Sequence, residues 1–148
     1  MDIYAYLKRD HRKVSELMEK LVSSRSVRVR EELFEEIRRE LLLHAETEQK
    51  TFYAALKKNP EAGERIKHAK EEHEEIKDYL SRLARIDIQS EKWMEQFGEF
   101  KHSVTHHVEE EEGEIFAKAK KFLSPEDAVQ LAADMDSLKQ AMEAKQAA

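Results

Sequence analysis

Residues 44–48 read HAETE and residues 107–111 read HVEEE, so each stretch has a histidine followed four positions later by a glutamate. Positions four apart lie one above the other on the same face of an α-helix. Both stretches continue apolar patterns that advance in steps of three and four residues, which is typical of a helix with one buried face. The sequence therefore predicts a histidine and a glutamate on the buried face of each of two helices.

The same period runs through most of the chain and is interrupted at four places. The interruptions lie at residues 23–26, 59–60, 87–90 and 124–127. The last is the clearest helix start, because Ser124 suits an N-cap and Pro125 suits the first helical position. The breaks predict five helices, at about 2–22, 28–58, 61–86, 91–122 and 125–145.

Composition supports an all-α fold. Only three glycines and two prolines occur in 148 residues, which leaves few positions for hairpins and tight turns. Helices joined by short connections run beside one another, so residues 1–122 are predicted to form an up-and-down four-helix bundle. Residues 123–148 are predicted to form an accessory C-terminal helix, with Val129, Leu131, Met135, Leu138 and Met142 as its apolar face. This helix packs either across the bundle or against another subunit, and no internal repeat is apparent.

Charge and cysteine content exclude several classes of function. The net charge is −6 and both signs are scattered, so no basic stripe marks a nucleic-acid surface. The absence of cysteine excludes disulfides, iron–sulfur clusters and thiolate metal sites. The N-terminal residues do not resemble a signal peptide and no apolar run is long enough to cross a bilayer. We expect a soluble cytoplasmic protein, monomeric or homodimeric, without nucleic-acid or membrane partners.

The apolar faces of all four bundle helices carry candidate metal ligands. These candidates are His11, His44, Glu48, His73, His107 and Glu111. A single histidine on an apolar face is usually a core residue satisfied by a hydrogen bond. Two carboxylates among four histidines, with no lysine or arginine on the same faces, instead indicate a bound cation.

Depth and ligand number refine the metal prediction. At about 1.5 Å per residue, helices running up and down place all six side chains within a turn or two of one layer. Six protein ligands exceed the usual three of a catalytic zinc site and suit two ions that share carboxylates. Imidazole and carboxylate favour iron or manganese over copper(I). The remaining histidines near the site, His68, His102 and His106, are predicted to be solvated surface residues.

The order of these motifs resembles the hemerythrin-like (HHE cation-binding) family. The resemblance covers about residues 1–122 and rests on DHRKV at 10–14, HAETE, EEHEE at 71–75 and HVEEE. It implies two iron ions, one held by His11 and His44 and the other by His73 and His107. Glu48 and Glu111 would bridge them together with an oxo or hydroxo group. Manganese or a mixed metal pair is an alternative.

The resemblance also directs the functional hypotheses. Oxygen carriers of this kind have a further histidine one turn after the ligand on the third helix, where this chain has Lys77. We therefore expect a protein that binds or senses oxygen, nitric oxide, peroxide or iron. The alternative is a di-iron or di-manganese oxidase or peroxidase-type enzyme, and the sequence leaves open whether turnover occurs. A bundle without metal is the third hypothesis.

Overall fold

The computed structural model describes residues 1–147, and these form five helical rods in chain order. The first and third rods are the α-helices α1 (Ile3–Ser23) and α3 (Gly63–Leu83), and the last is α5 (Pro125–Ala147). Rod α2 (27–56) is α-helical at Val27–Glu48 and Ala54–Leu56, with a π-helical turn at Gln49–Tyr53 between them. Rod α4 (91–122) has the same construction, with α-helix at Glu91–Glu110 and Phe116–Phe122 around a π-helical turn at Glu111–Ile115.

The predicted all-α fold class is confirmed, since the described residues contain helices and no strand. Side chains at the helix starts explain the positions of the boundaries. Asp2, Ser26 and Ser90 each accept a hydrogen bond from a backbone N–H of the first turn, and Ser124 does the same for Asp127. Within residues 1–147, no helix is long and apolar enough to cross a membrane.

The bundle core consists of two apolar clusters that lie on either side of a polar layer. One cluster packs around Phe52 and Tyr53. The other contains Trp93 and Phe97, whose rings stack with centroids 5.1 Å apart. His11 follows Leu7 of the first cluster and precedes Val14 of the second, so the candidate ligands occupy the layer between the two. Burying each large apolar side chain stabilises the fold by about 1.5–3 kcal/mol, which holds this layer closed on both sides.

The C-terminal helix α5 packs across α1 and α2 of its own bundle. Its buried positions are Ala128, Ala132, Met135 and Lys139, which lie on one face and admit close approach because the first two are small. The predicted apolar face was wrong at Val129, which is 52% exposed. The predicted segment extends to residue 148, which lies outside the described residues, and the division of the chain after residue 122 stays a prediction.

The π-helical turns alter which side chains face the core. An uninterrupted α-helical period after Glu48 and Phe52 would place Ala55 on the buried face, but the structure buries Tyr53 and Leu56 and leaves Ala55 only half-buried. A π-turn closes an i→i+5 hydrogen bond and inserts one extra residue, so every later side chain rotates around the rod. One π-turn begins directly after the candidate ligand Glu48, and the other begins at the candidate ligand Glu111.

Candidate metal centre

The six predicted ligands meet in the polar layer between the two apolar clusters, and all are buried. Their nitrogen and oxygen atoms form two overlapping groups, and within each group the atoms lie within 4.8 Å of one another. The groups are His11, His44, Glu48 and Glu111, and Glu48, His73, His107 and Glu111. The two glutamates belong to both groups, which is the arrangement that two ions sharing carboxylate ligands require.

The spacing of these atoms suits coordination. The carboxylate-to-Nε2 distances are 3.4 Å for Glu48–His44, 3.3 Å for Glu48–His73, 3.2 Å for Glu111–His11 and 3.5 Å for Glu111–His107. The Nε2 atoms of His73 and His107 are 3.0 Å apart. Ligands about 2.0–2.2 Å from one ion are separated by about 3 Å or slightly more when they are neighbours. Each glutamate therefore reaches one histidine of each group.

Several of these buried atoms lack a hydrogen-bond partner among the described residues. They are His11 Nε2, His44 Nε2, both carboxylate oxygens of Glu48 and Glu111 Oε1. A buried polar atom left unpaired costs about 1–3 kcal/mol, and native structures rarely tolerate several together. A cation between them would satisfy all five atoms, so the donor set fits a metal pair.

The outward-facing Nδ1 atom of each candidate histidine has a polar partner. The pairs are His11–Glu112 at 2.7 Å, and His44–Asp10, His107–Glu72 and His73–Gln49 at 2.8 Å each. Nδ1–H donates to the carboxylate in the first three pairs. In the fourth pair the atom facing His73 Nδ1 is Gln49 Nε2, and a 180° rotation of the amide places Oε1 there as the acceptor. This leaves the Nε2 lone pair facing inward, as in most metal-binding histidines.

Sequence reasoning missed these four outer partners, although each stands next to a ligand in the chain. Asp10 and Glu72 directly precede the ligand histidines of α1 and α3, and each accepts from the histidine of the following helix. Gln49 and Glu112 directly follow the ligand glutamates of α2 and α4. The two helix pairs thus repeat one arrangement, which the sequence analysis did not detect because few positions correspond.

The repeat is broken at Tyr53. Its hydroxyl donates to Glu111 Oε2 and lies 3.5 Å from His107 Nε2, while its ring stacks on His73 at a centroid distance of 5.4 Å. The corresponding residue of α4, five positions after the ligand glutamate, is Phe116, which has no donor. Burial and the negative charges of Glu111 and Glu48 raise the pKa of Tyr53 well above its ordinary value. The tyrosine is therefore a neutral hydrogen-bond donor on one side of the centre only.

Helix α5 reaches the centre through Lys139. Its buried ammonium donates to Asp10 Oδ2, the same oxygen that accepts from His44 Nδ1. Burial alone would raise the pKa of Asp10, but the hydrogen bonds and charges of His44 and Lys139 outweigh it and lower the pKa to about 2. Asp10 is thus held as a carboxylate, and it orients His44.

The pKa values of two candidate ligand histidines are raised in the metal-free centre. Burial would lower the pKa of His44, but the charge of Glu48 and the hydrogen bond to Asp10 raise it to about 10. His107 is likewise raised to a pKa of about 10, against the effect of burial, by hydrogen bonds to Glu111 and Glu72. Both imidazoles are therefore protonated at neutral pH when no metal is bound, and a metal ion must displace these protons.

A cavity of about 30 Å³ borders the four histidines. Its other walls are apolar: Leu41, Leu42, Ile76, Leu80, Val104 and Val108. This volume holds a water molecule or a molecule of two or three atoms. Lys77 lines its edge through the alkyl stem, while its ammonium bonds Glu74 at 3.2 Å and points away from the centre. His68, His102 and His106 are exposed, as the sequence predicted.

Comparison with known proteins finds similarity over most of the chain. The model of the hemerythrin HHE cation-binding domain matches residues 2–119. A crystal structure of a hemerythrin HHE cation-binding domain-containing protein from Mycobacterium kansasii superposes with a TM-score of 0.75 at 25% identity, over 98% of this chain and 91% of that one. A protein of Nostoc sp. described as a DNA nickase is 27% identical over 139 residues, which is 94% of this chain. The chain spans 39% of the length of that relative.

Proposed function

This chain belongs to the hemerythrin HHE cation-binding family, and we propose that it holds a pair of iron ions at which it binds or senses oxygen, nitric oxide, peroxide or iron. The observation that carries the proposal is the pair of four-residue groups that share Glu48 and Glu111. The unpaired Nε2 and carboxylate atoms add support, because they need a cation to be satisfied in the buried layer.

We assign the ligands by position. His11 and His44 would hold one ion and His73 and His107 the other, while the two glutamates would join them. The nitrogen and oxygen donor set suits iron and, as an alternative, manganese or a mixed pair. Such ions supply a reversible change of oxidation state and open positions for a small molecule.

The residues around the centre determine what reaches it. The apolar walls of the 30 Å³ cavity exclude bulk water and admit a molecule of two or three atoms. The hydroxyl of Tyr53 donates to Glu111 and lies 3.5 Å from His107 Nε2, so it orients this carboxylate. The cavity borders the histidines on the side of Leu80 and Val104, whereas Tyr53 contacts Glu111 from the apolar cluster around Phe52.

Lys77 bears on the kind of reaction we propose. The residue at this position is a lysine whose ammonium pairs with the exposed Glu74, so no fifth histidine is supplied to the third-helix side of the centre. We therefore expect the reduced protein to be oxidised rapidly in air instead of carrying oxygen reversibly. Lys77→His tests this, since a histidine that reaches the centre should slow oxidation. A wild-type protein that exchanges oxygen reversibly for hours would contradict the proposal.

Metal analysis is the direct test of the centre itself. Protein purified from iron-rich medium should contain about two iron or manganese ions per chain, and oxidised iron should absorb in the near-ultraviolet and visible range. His44→Ala and Glu111→Ala should each lose metal, whereas the exposed His102→Ala should keep it. One zinc ion per chain in the wild type, or full metal content in both ligand variants, would exclude the proposed pair.

An oxidase or peroxidase-type enzyme is the second candidate, and Tyr53 is the observation that favours it. A buried neutral phenol that donates to the ligand carboxylate Glu111 would be a proton source in direct contact with the centre, although it does not line the cavity. Tyr53→Phe should then lower steady-state consumption of hydrogen peroxide while leaving metal content unchanged. The activity named for the Nostoc relative is not carried over, because the chain covers only 39% of that protein.

A further inference from the structure

A second set of histidines and glutamates lies on the outer faces of α3 and α4. Residues 68–72 and 106–110 both have a histidine followed by a glutamate four positions later, the same spacing as in the buried ligand pairs. His68 Nε2 lies 3.5 Å from both Glu72 Oε2 and Glu110 Oε2. His106 Nε2 lies 2.9 Å from Glu110 Oε1 and 3.9 Å from Glu72 Oε2. We propose that these four residues form a surface site for one divalent cation.

The distances suit an ion between the four side chains. Neighbouring ligands of a first-row metal ion are separated by about 3.0–3.4 Å, and opposite ones by about 4 Å. One ligand atom each from His68, Glu72 and Glu110 already lies within 4.8 Å of the other two. His106 is outside this group of three, but its exposed ring contacts Glu110 at 2.9 Å and would join as a fourth ligand by a side-chain rotation. The helices that carry the residues pack directly on one another, so the site needs no loop to assemble.

Glu72 is the less exposed of the two carboxylates in this cluster. It is only 9% exposed, and one of its oxygens, Oε1, accepts from the ligand His107. Its counterpart in the other helix pair is Asp10, which has the buried ammonium of Lys139 as a fixed cation. Within residues 1–147, no lysine or arginine lies within salt-bridge distance of Glu72, and its second oxygen, Oε2, faces His68. A metal ion at Oε2 would give Glu72 a second cationic partner, as Lys139 does for Asp10, although Lys139 binds the same Asp10 oxygen as His44 does.

The chemistry of the site selects a borderline divalent ion. Two imidazole nitrogens and two carboxylate oxygens suit Zn²⁺, Fe²⁺, Co²⁺ or Mn²⁺. His68 and His106 are more than half exposed, so the ion exchanges with solvent. An ion bound to Glu72 would draw electron density from the carboxylate that orients His107. This change would be transmitted to the buried centre by the hydrogen bond between His107 Nδ1 and Glu72. The site itself does not depend on the proposed function of that centre.

Cobalt binding tests the site with a probe that has visible absorption bands. Titration of the iron-loaded wild type with Co²⁺ near neutral pH should give about one further ion per chain, measured by calorimetry and by the absorption of the added ion. His68→Ala combined with His106→Ala removes two of four ligands and should weaken this binding at least about tenfold, with iron content unchanged. Glu110→Gln should also weaken binding, while His102→Ala, an exposed histidine of the same helix, should match the wild type.

The outcomes separate a metal site from an ion-pair cluster. If the wild type binds no further Co²⁺ at about 1 mM, or if the double variant binds it as well as His102→Ala does, the proposal is overturned. If the buried centre fails to load iron, the same comparison in metal-free protein still applies. The double variant should then bind about one Co²⁺ fewer than the wild type, so the two proposals fail or succeed separately.

Discussion

Replacing Lys139 by methionine isolates the contribution of α5 to the centre. Methionine keeps most of the apolar stem and removes the ammonium that bonds Asp10. The pKa of Asp10 falls from 3.8 to about 2 on folding. At about 1.4 kcal/mol for each pKa unit, this shift favours the folded carboxylate by about 2–3 kcal/mol, after the opposing effect of burial has been subtracted. Losing one charged hydrogen-bond partner of a buried carboxylate costs about 1.5–3 kcal/mol. We therefore expect Lys139→Met to lower the free energy of unfolding by about 2 kcal/mol.

The pH dependence has a defined sign. A carboxyl whose pKa is lowered in the folded state contributes stability above its unfolded pKa and loses it as the pH falls through the folded pKa. The difference in the free energy of unfolding between wild type and Lys139→Met should therefore have its full size at pH 7 and should shrink between pH 3.8 and about 2. A deficit that is equally large at both ends of this range would show that lost packing, and not charge, is its cause.

Urea and thermal unfolding of metal-free protein, followed by circular dichroism, measure this deficit. A loss of about 2 kcal/mol corresponds to a Tm lower by about 4–8 °C for a chain of this size. Lys145→Met is the matched control, because Lys145 is exposed on the same helix. If the two variants unfold within about 0.5 kcal/mol of each other, Lys139 does not support the centre.

Three further predictions concern the centre. At pH 8, metal binding should release about two protons from His44 and His107, whose pKa values of about 10 keep them charged in the metal-free protein. Calorimetry in buffers of different ionisation enthalpy counts these protons, and a count of zero would contradict the proposed charge state. Tyr53→Phe should destabilise the metal-free protein by about 1.5–3 kcal/mol, since it removes a donor to the buried carboxylate of Glu111, whereas Tyr79→Phe at a half-exposed position should have little effect. Metal-free protein should melt below metal-loaded protein, by an amount that grows with free metal concentration, and equal melting temperatures would show that metal binds the folded state weakly.

The candidate ligands could be predicted from the sequence, because residue type and helical period can be read from a short stretch of chain. His44 and Glu48 belong to one apolar face, and a carboxylate on such a face without a lysine or arginine indicates a cation before any fold is known. The outer partners did not follow. Asp10 and Gln49 each lie next to a ligand in the chain but off the apolar face of their own helix. A helical wheel cannot distinguish a residue there that orients a metal ligand from an ordinary surface residue.

The sequence alone determined the helices, their approximate ends and the six residues of the polar layer, because these depend on hydrophobic period, capping residues and breaks within a few turns of chain. Tertiary structure decided which histidines each glutamate contacts and that Lys139 pairs with Asp10. These contacts depend on how neighbouring helices are rotated and shifted relative to one another. It also decided the π-turns after the ligand glutamates, which rotate Tyr53 towards Glu111. The extra residue of a π-turn is stabilised by packing against other helices, and the 3.6-residue period of the sequence contains no sign of it.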